Sequence, residues 1–293
     1  MRAIEKIVLT DALAASLLPR RNERADKFAF GNALVIAGSS GLTGAPYFSA
    51  IACQRCGAGL VRLAVPSEIH AIVASKLNEV MVVPVPSESG MFAKLSEDSV
   101  MRYAMKSSAI LIGPGIGVSE GTKGLVAKIL KESSCPLVLD ADALNCLAGK
   151  PELLLDAKCD IVVTPHEREF SRLFSFDRPP ADDELVSLAM RYRIVIVYKS
   201  AKTRIASYDG SVYVNEGAAN SGMAKGGSGD VLAGMILAFL SQGSEARQSA
   251  ALAVRLHSIA GRVARERLTE YCMLPSDVIG CLPDAFRTVM SYL

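Results

Sequence analysis

Short, almost unbroken apolar runs alternate along this chain with longer stretches of mixed polar and apolar residues. Ala-Ile-Leu-Ile at 109–112 and Ile-Val-Val at 161–163 are typical of the short runs. A strand in a parallel sheet covered on both faces buries both its sides, so it reads as a continuous apolar run rather than as alternation. The pattern predicts strands at Ala33–Ala37, Leu60–Val65, Met81–Val85, Ala109–Ile112, Leu137–Leu139, Ile161–Thr164 and Ile194–Lys199. Helices are expected between them, near 45–57, 67–77, 96–107, 119–132, 143–148 and 182–192. This is the rhythm of an α/β protein with a mostly parallel central sheet and helices on both faces.

After Lys199 the rhythm changes. Arg204–Ser207 and Val212–Val214 flank Asp209-Gly210, the signal of a two-residue hairpin loop. Two long helical stretches follow, near 231–241 and 246–267. Residues 1–30 read as a polar-flanked helical lead-in. No repeat, low-complexity segment or linker divides the chain, so one domain over residues 1–293 is expected.

Charge and composition narrow the functional classes. Thirty-two basic residues against thirty acidic ones leave a formal charge of +2, which gives no reason to expect nucleic acid or an anionic membrane as partner. A basic residue that binds phosphate must therefore do so locally, inside a site. The N-terminal segment lacks the pattern of a signal peptide, and the longest strongly apolar run, Val231–Leu240, is about ten residues, too short to span a bilayer. Seven scattered cysteines are an odd count. Cys53 and Cys56 sit i,i+3 on a predicted helix without a second pair, and they read as core thiols rather than a zinc or redox site. A reducing cytoplasm fits.

The candidate chemistry gathers where predicted strands end. Ala37 runs into Gly38-Ser39-Ser40-Gly41-Leu42-Thr43-Gly44, and Ile112 into Gly113-Pro114-Gly115-Ile116-Gly117. In an open α/β sheet, ligands bind outside the carboxyl ends of the strands, so these loops are expected to line one cleft. Glycine lets backbone N–H groups approach a phosphate or ribose, although a tight strand-to-helix turn also needs glycine for steric reasons alone. Gly226-Gly227-Ser228-Gly229-Asp230 opens the apolar helix that follows. Small residues there bare backbone amides at a helix N-terminus, where the dipole favours an anion. Asp230 in that place is either an ordinary helix cap or a general base aimed at a substrate hydroxyl.

Other strand ends carry further candidates. Lys199, followed by Ser200-Ala201-Lys202-Thr203, suits contact with nucleotide phosphates, although a single lysine is more often solvated. Thr164-Pro165-His166 places a histidine where it could orient a polar substrate group. Glu169, one turn on, either shapes the same cleft or faces solvent. His70 and His257 read as structural. Asp140 and Asp142 leave the strand at 137–139; Asp140 suits Mg²⁺ held through water, and Asp142 suits helix capping.

Taken in order, these segments resemble the ADP/ATP-dependent NAD(P)H-hydrate dehydratases, relatives of ribokinase. The likeness is carried by residues 38–46, Gly57-Ala58-Gly59-Leu60-Val61, Ile112–Gly117, Leu139-Asp140-Ala141-Asp142-Ala143-Leu144-Asn145, Thr164-Pro165-His166 and Gly222–Leu232. The resemblance implies a ribokinase-like fold. It also implies that Ala45, Gly117, His166 and Asp230 meet the hydrated nicotinamide nucleotide. Lys199, Ser200, Ala201, Lys202, Thr203 and Gly229, together with Gly226, Gly227 and Ser228, would meet ADP or ATP, with Mg²⁺ as cofactor. Such enzymes work as kinases whose phosphorylated product falls apart, with Asp230 as the base. A homo-oligomer, in particular a homotetramer, is implied. So is functional pairing with a separate epimerase, for which there is no room before the first glycine loop at residue 38.

The sequence departs from the family pattern in places. Ser200 stands where glycine is common, Ala218-Ala219-Asn220-Ser221 replaces a more usual Thr-Gly-Asn-Pro, and Glu167-Arg168 follow His166 where smaller residues are typical. Two other readings compete with the dehydratase. An ordinary kinase of a small alcohol or vitamin precursor would use the same base and anion hole. A non-catalytic adenine-nucleotide sensor is the alternative from another class, and a carboxylate facing phosphates argues against it.

Overall fold

The computed structural model of the chain describes residues 4–217 and 219–293. Twelve strands are present among them: β1 (Glu5–Val8), β2 (Asn32–Ile36), β3 (Leu60–Pro66), β4 (Met81–Val85), β5 (Ser87–Glu88), β6 (Met91–Phe92), β7 (Ala109–Ile112), β8 (Leu137–Leu139), β9 (Ile161–Val163), β10 (Ile194–Tyr198), β11 (Arg204–Ala206) and β12 (Ser211–Val214). The helices are α1 (Asp11–Ser16), α2 (Gly44–Arg55), α3 (His70–Ala74), α4 (Ser96–Ala104), α5 (Glu120–Glu132), α6 (Asp142–Cys146), α7 (Glu167–Phe174), α8 (Asp182–Tyr192), α9 (Ser228–Ser241), α10 (Ala246–Cys272), α11 (Pro275–Gly280) and α12 (Leu282–Met290).

Ten strands form one sheet in the order β1-β12-β11-β10-β9-β8-β7-β2-β3-β4. Only β11 runs antiparallel to its neighbours. The continuous apolar runs are explained by burial from two sides. Along β2, Ala33 and Val35 pack into one core with α2, α9 and α10, while Leu34 and Ile36 pack into the other with α4, α5, α7 and α8. The expected mostly parallel sheet with helices on both faces is what the chain forms. None of the helices among the described residues is long and apolar enough to cross a membrane.

The chain order places the site. It winds outward from β2 through β3 to β4, then returns to lay β7 on the other side of β2 and winds outward again through β8, β9 and β10. The gap between β2 and β7 is the topological switch point, where the loops leaving the two strands diverge and open a crevice. Helix α9 runs beneath it, buried along almost its whole length. It reaches α2 closely because Gly234 has no side chain; a Cβ there would overlap the Ser49 carbonyl.

Several expectations need correction. Residues 5–8 are a strand, not part of a helical lead-in: β1 pairs in parallel with β12, some two hundred residues on, a contact that local patterning does not encode. Four residues, Ser207 to Gly210, join β11 to β12, and the Ser207–Ser211 pair encloses three of them, Tyr208-Asp209-Gly210, rather than two. Ser207 N–H donates to Ser211 O at 3.0 Å, and Gly210 takes φ +92°. The Asp209 carboxylate accepts from the Ser211 N–H and hydroxyl, which fixes the longer turn. The helix expected at 67–77 is a 3-10 turn at 67–69 followed by the short α3. The hairpin β5–β6 and helices α7, α11 and α12 are additional to the elements predicted.

Candidate active site

The two glycine loops at the switch point are tied to each other. Gly38 N–H donates to Pro114 O at 2.8 Å, and the Ser39 hydroxyl donates to Gly115 O at 2.8 Å. Gly38 takes φ +88° and Gly117 φ +72°, conformations that side chains rarely adopt. Ala45 belongs to the same wall: its Cβ lies 3.0 Å from where a Cβ on Gly115 would stand. The hairpin β5–β6 covers this half. Gly90 O accepts from Ser40 N–H at 2.8 Å, and a Cβ on Gly117 would stand 2.8 Å from Met91 Sδ. Ala45 and Gly117, both expected to meet one ligand, are thus brought to one wall.

Asp140 and Asp142 part company because Ala141 between them takes φ +50°, ψ −116°. Ala141 is the N-cap of α6, so Asp142 is not the expected cap. Its carboxylate reaches the neighbouring loop after β7 instead, accepting from Gly117 N–H at 2.9 Å, and accepts from the Asn145 amide at 3.1 Å. It therefore fixes the Gly117 loop. Asp140 turns inward and is 1 % exposed. Its Oδ1 accepts the Thr164 hydroxyl at 2.6 Å and the Lys199 ammonium at 2.8 Å. Strands β8, β9 and β10 lie side by side, so the residues that directly follow their C-terminal ends meet.

Lys199 is therefore an ion-paired residue rather than a solvated one. Burial alone would lower its proton affinity, but the charges of Asp140 and Glu169 outweigh it and the ammonium is held more firmly than usual. Its Nζ lies 3.3 Å from the place a Cβ on Gly229 would occupy, so that glycine leaves room for it. Ser200 explains its own departure from glycine. Its hydroxyl donates to Lys202 O at 2.8 Å and accepts from Lys202 N–H at 3.2 Å, which closes the loop. The Lys202 side chain turns outward to Glu216 at 2.7 Å.

Asp230 is the third residue of α9. The N-cap is Gly227, with φ +104°, and makes no side-chain cap, so the capping reading of Asp230 fails. Burial pushes its carboxyl up to about 7, with further help from the charge of Asp140; Lys199 opposes the shift, while Glu169 and Asp142 add to it. The amides of Gly229 and Asp230 lie in the first turn, where no preceding helical carbonyl is available to them. A partly neutral acid thus adjoins a helix start suited to an anion.

Beyond the helix start opens a cavity of about 770 Å³. His166, Lys199, Ser200, Ala201, Thr203, Ser228 and Gly229 line it, as do Leu232, Met223 and Val254. Lys202, Gly226, Gly227, Asp230 and the Ala45–Gly117 wall do not. Ala219 and Asn220 contribute to the rim, and Ala218 lies outside the described residues. His166 caps α7: its Nδ1 accepts from the N–H groups of Arg168 and Glu169. His70, read as structural, contacts the Val82 carbonyl at 3.3 Å.

Two residues matter more than their sequence signals suggest. Glu169 is 6 % exposed and lies 3.7 Å from Lys199; the spacing His-x-x-Glu of a capping box was the available sign. His257 lines the cavity, and burial, opposed by a Ser228 backbone contact, pulls its imidazole down to about 4, so it is neutral at pH 7. Nothing local marks it, since its neighbours in space come from α9. No cluster of three histidine, cysteine or acidic side chains that could cage a metal exists among the described residues. Asp140, the residue expected to hold Mg²⁺ through water, is buried with its Oδ1 engaged by Thr164 and Lys199, which leaves Oδ2 as the oxygen a bound water could reach.

The sequence profile of a family described as NAD(P)H-hydrate dehydratase matches residues 33–284. A curated relative from Moorella thermoacetica, named bifunctional NAD(P)H-hydrate repair enzyme Nnr, is 36% identical over 96% of this chain and 54% of its own length. The chain thus spans about half the length of several curated relatives it matches. A relative from Xanthomonas campestris, named ADP-dependent (S)-NAD(P)H-hydrate dehydratase, is 31% identical over 90% of each chain. Among solved structures, the ADP/ATP-dependent NAD(P)H-hydrate dehydratase from Bacillus subtilis, co-crystallized with ATP/Mg²⁺, is 26% identical. It matches with a TM-score of 0.81 over 99% of this chain and 100% of its own. A hydroxyethylthiazole kinase from Pyrococcus horikoshii shares the fold alone, at 15% identity and a TM-score of 0.57.

Proposed function

The chain belongs to the NAD(P)H-hydrate dehydratase family, and from that premise we propose that it regenerates NADH or NADPH from the S-form of the hydrated nucleotide at the expense of ADP or ATP. The observation that carries the reading is Asp230: a carboxyl pushed up to about 7, in the first turn of a helix whose opening residues Ser228 and Gly229 line a nucleotide-sized cavity and suit a phosphate.

The chemistry follows from that placement. The hydrate lies against Ala45, Gly117 and His166, with its C6 hydroxyl toward Asp230. The adenine nucleotide fills the cavity, with its phosphates at Lys199–Thr203 and the Gly226–Gly229 turn. Asp230 accepts the hydroxyl proton as the oxygen attacks the terminal phosphorus, and the bond from that phosphorus to the nucleotide breaks. The amides of the helix start hold the transferred group while charge builds on it. The ring nitrogen lone pair then expels phosphate from C6, and loss of a proton from C5 of the resulting iminium forms the C5–C6 double bond and restores the dihydropyridine of NADH or NADPH. Hydroxide is a poor leaving group and phosphate a good one, which is why a nucleotide is consumed. Mg²⁺, when bound, neutralises phosphate charge, and Asp140 would hold it through water.

The same reading makes the protein a cytoplasmic homo-oligomer, a tetramer, that takes the S-form an epimerase supplies. The test is direct: purified protein, Mg²⁺ and mixed NADH hydrate epimers receive ADP or ATP in turn, and absorbance of reduced nicotinamide is followed. Regeneration with either nucleotide supports the dehydratase and identifies its donor. Phosphorylation of a small alcohol without regeneration would replace it with a kinase.

A further inference from the structure

Glu169 is buried, and both its carboxylate oxygens are engaged. Oε2 accepts the His166 backbone N–H at 2.9 Å and lies 3.7 Å from the Lys199 ammonium. Oε1 lies 3.4 Å from His166 Nε2. The other ring nitrogen is already fixed, because Nδ1 accepts two backbone N–H groups, at 3.1 and 3.2 Å. Nε2 is therefore the nitrogen that carries hydrogen. The His166 side chain is 49% exposed, whereas that of Glu169 is 7%. One buried carboxylate thus contacts both His166, which the proposed function gives to the hydrate, and Lys199, which it gives to the nucleotide; the two residues line the same cavity.

The charges make this link unequal. One ammonium serves two buried carboxylates, and it lies closer to Asp140, at 2.8 Å, than to Glu169, at 3.7 Å. A phosphate at the Gly229 turn competes for Lys199, which stands directly over that glycine. The longer contact yields first, and Glu169 is then left with the donors of His166 alone. Resting on the function proposed above, we infer that Glu169 is a positioning residue through which nucleotide binding fixes His166 for the nicotinamide ligand. Such coupling is reciprocal, so the nicotinamide nucleotide also tightens adenine-nucleotide binding.

The test uses the full chain and two probes: NADH, followed by its own fluorescence, and a non-hydrolysable ATP analogue with Mg²⁺. NADH is expected to bind the wild-type protein at least about fivefold tighter when the analogue is present, the lower end of ordinary coupling. In Glu169→Gln the ratio should collapse to about one whatever each ligand's affinity alone becomes, whereas general loosening of the site would weaken both ligands and leave the ratio intact. If that variant does not fold, Glu169→Asp decides, because its shortened carboxylate cannot reach both partners. An undiminished ratio in the variant overturns the inference, as does a wild-type protein that binds both ligands independently. Failure of the wild-type protein to bind NADH at all would instead sink the proposed function, and the inference with it.

Discussion

Lys199 Nζ stands 2.8 Å from Asp140 Oδ1, and the pair is nearly dry, with side-chain exposures of 18% and 1%. Removing one partner of a buried pair strands the other without compensation, which costs about 3–5 kcal/mol. Asp140→Asn should therefore lower the unfolding free energy by about that amount, read as a fall in the urea midpoint with the slope unchanged. An unshifted midpoint would mean the pair adds nothing to the fold.

Asp230→Asn keeps the shape of the helix start but removes the base. Turnover should fall by about 10²–10⁴, the usual share of general-base catalysis, while adenine nucleotide still binds. Stopped assays with calorimetric titration of the nucleotide separate the two effects. Survival of turnover would show that another group takes the proton.

The same carboxyl sets a pH dependence. It must be ionised to act, so kcat/KM should rise with pH through about 7. Stability runs the opposite way. The folded-state value lies above the unfolded one of about 3.9, so the fold favours the protonated form. That contribution is complete below about 4 and is lost as pH rises through about 7. Thermal melts of Asp230→Asn and wild type should therefore diverge across this window, with the variant the more stable at pH 8. Parallel melting curves would contradict the assigned burial.

Gly234→Ala places a methyl group against the Ser49 carbonyl, where α2 and α9 cross. Overpacking at such a site costs about 1–3 kcal/mol. The midpoint of chemical unfolding measures it, and a neutral result would mean that the two helices can move apart freely.

Ser200→Ala removes both hydroxyl bonds that close the Lys199–Thr203 loop. KM for the nucleotide should rise by about fivefold to tenfold, the worth of roughly one hydrogen bond, with a smaller change in kcat. Ser200→Gly should be milder, since glycine adopts the turn without help. Equal effects would remove the hydroxyl from the account.

Much of this site could be read along the chain. The apolar runs at Ala109–Ile112, Ile161–Val163 and Ile194–Tyr198 gave away their strands because burial on both faces leaves no polar alternation. The glycine turns at 38, 117 and 227 were legible because their backbone conformations exclude most other residues. Asp230 stood out as an acid where an anion site is expected.

What the sequence by itself determined was therefore the class of fold, the ends of the strands and the types of residue placed there, all consequences of short-range sterics and burial. The tertiary structure alone decided which of those residues meet. Asp140 became the partner of Lys199, Asp142 the anchor of Gly117, Glu169 a buried link and β1 an edge strand. The cause is physical: charge pairing and strand pairing act between atoms a few ångströms apart in space, and residues 140 and 199 become neighbours only when β8, β9 and β10 align.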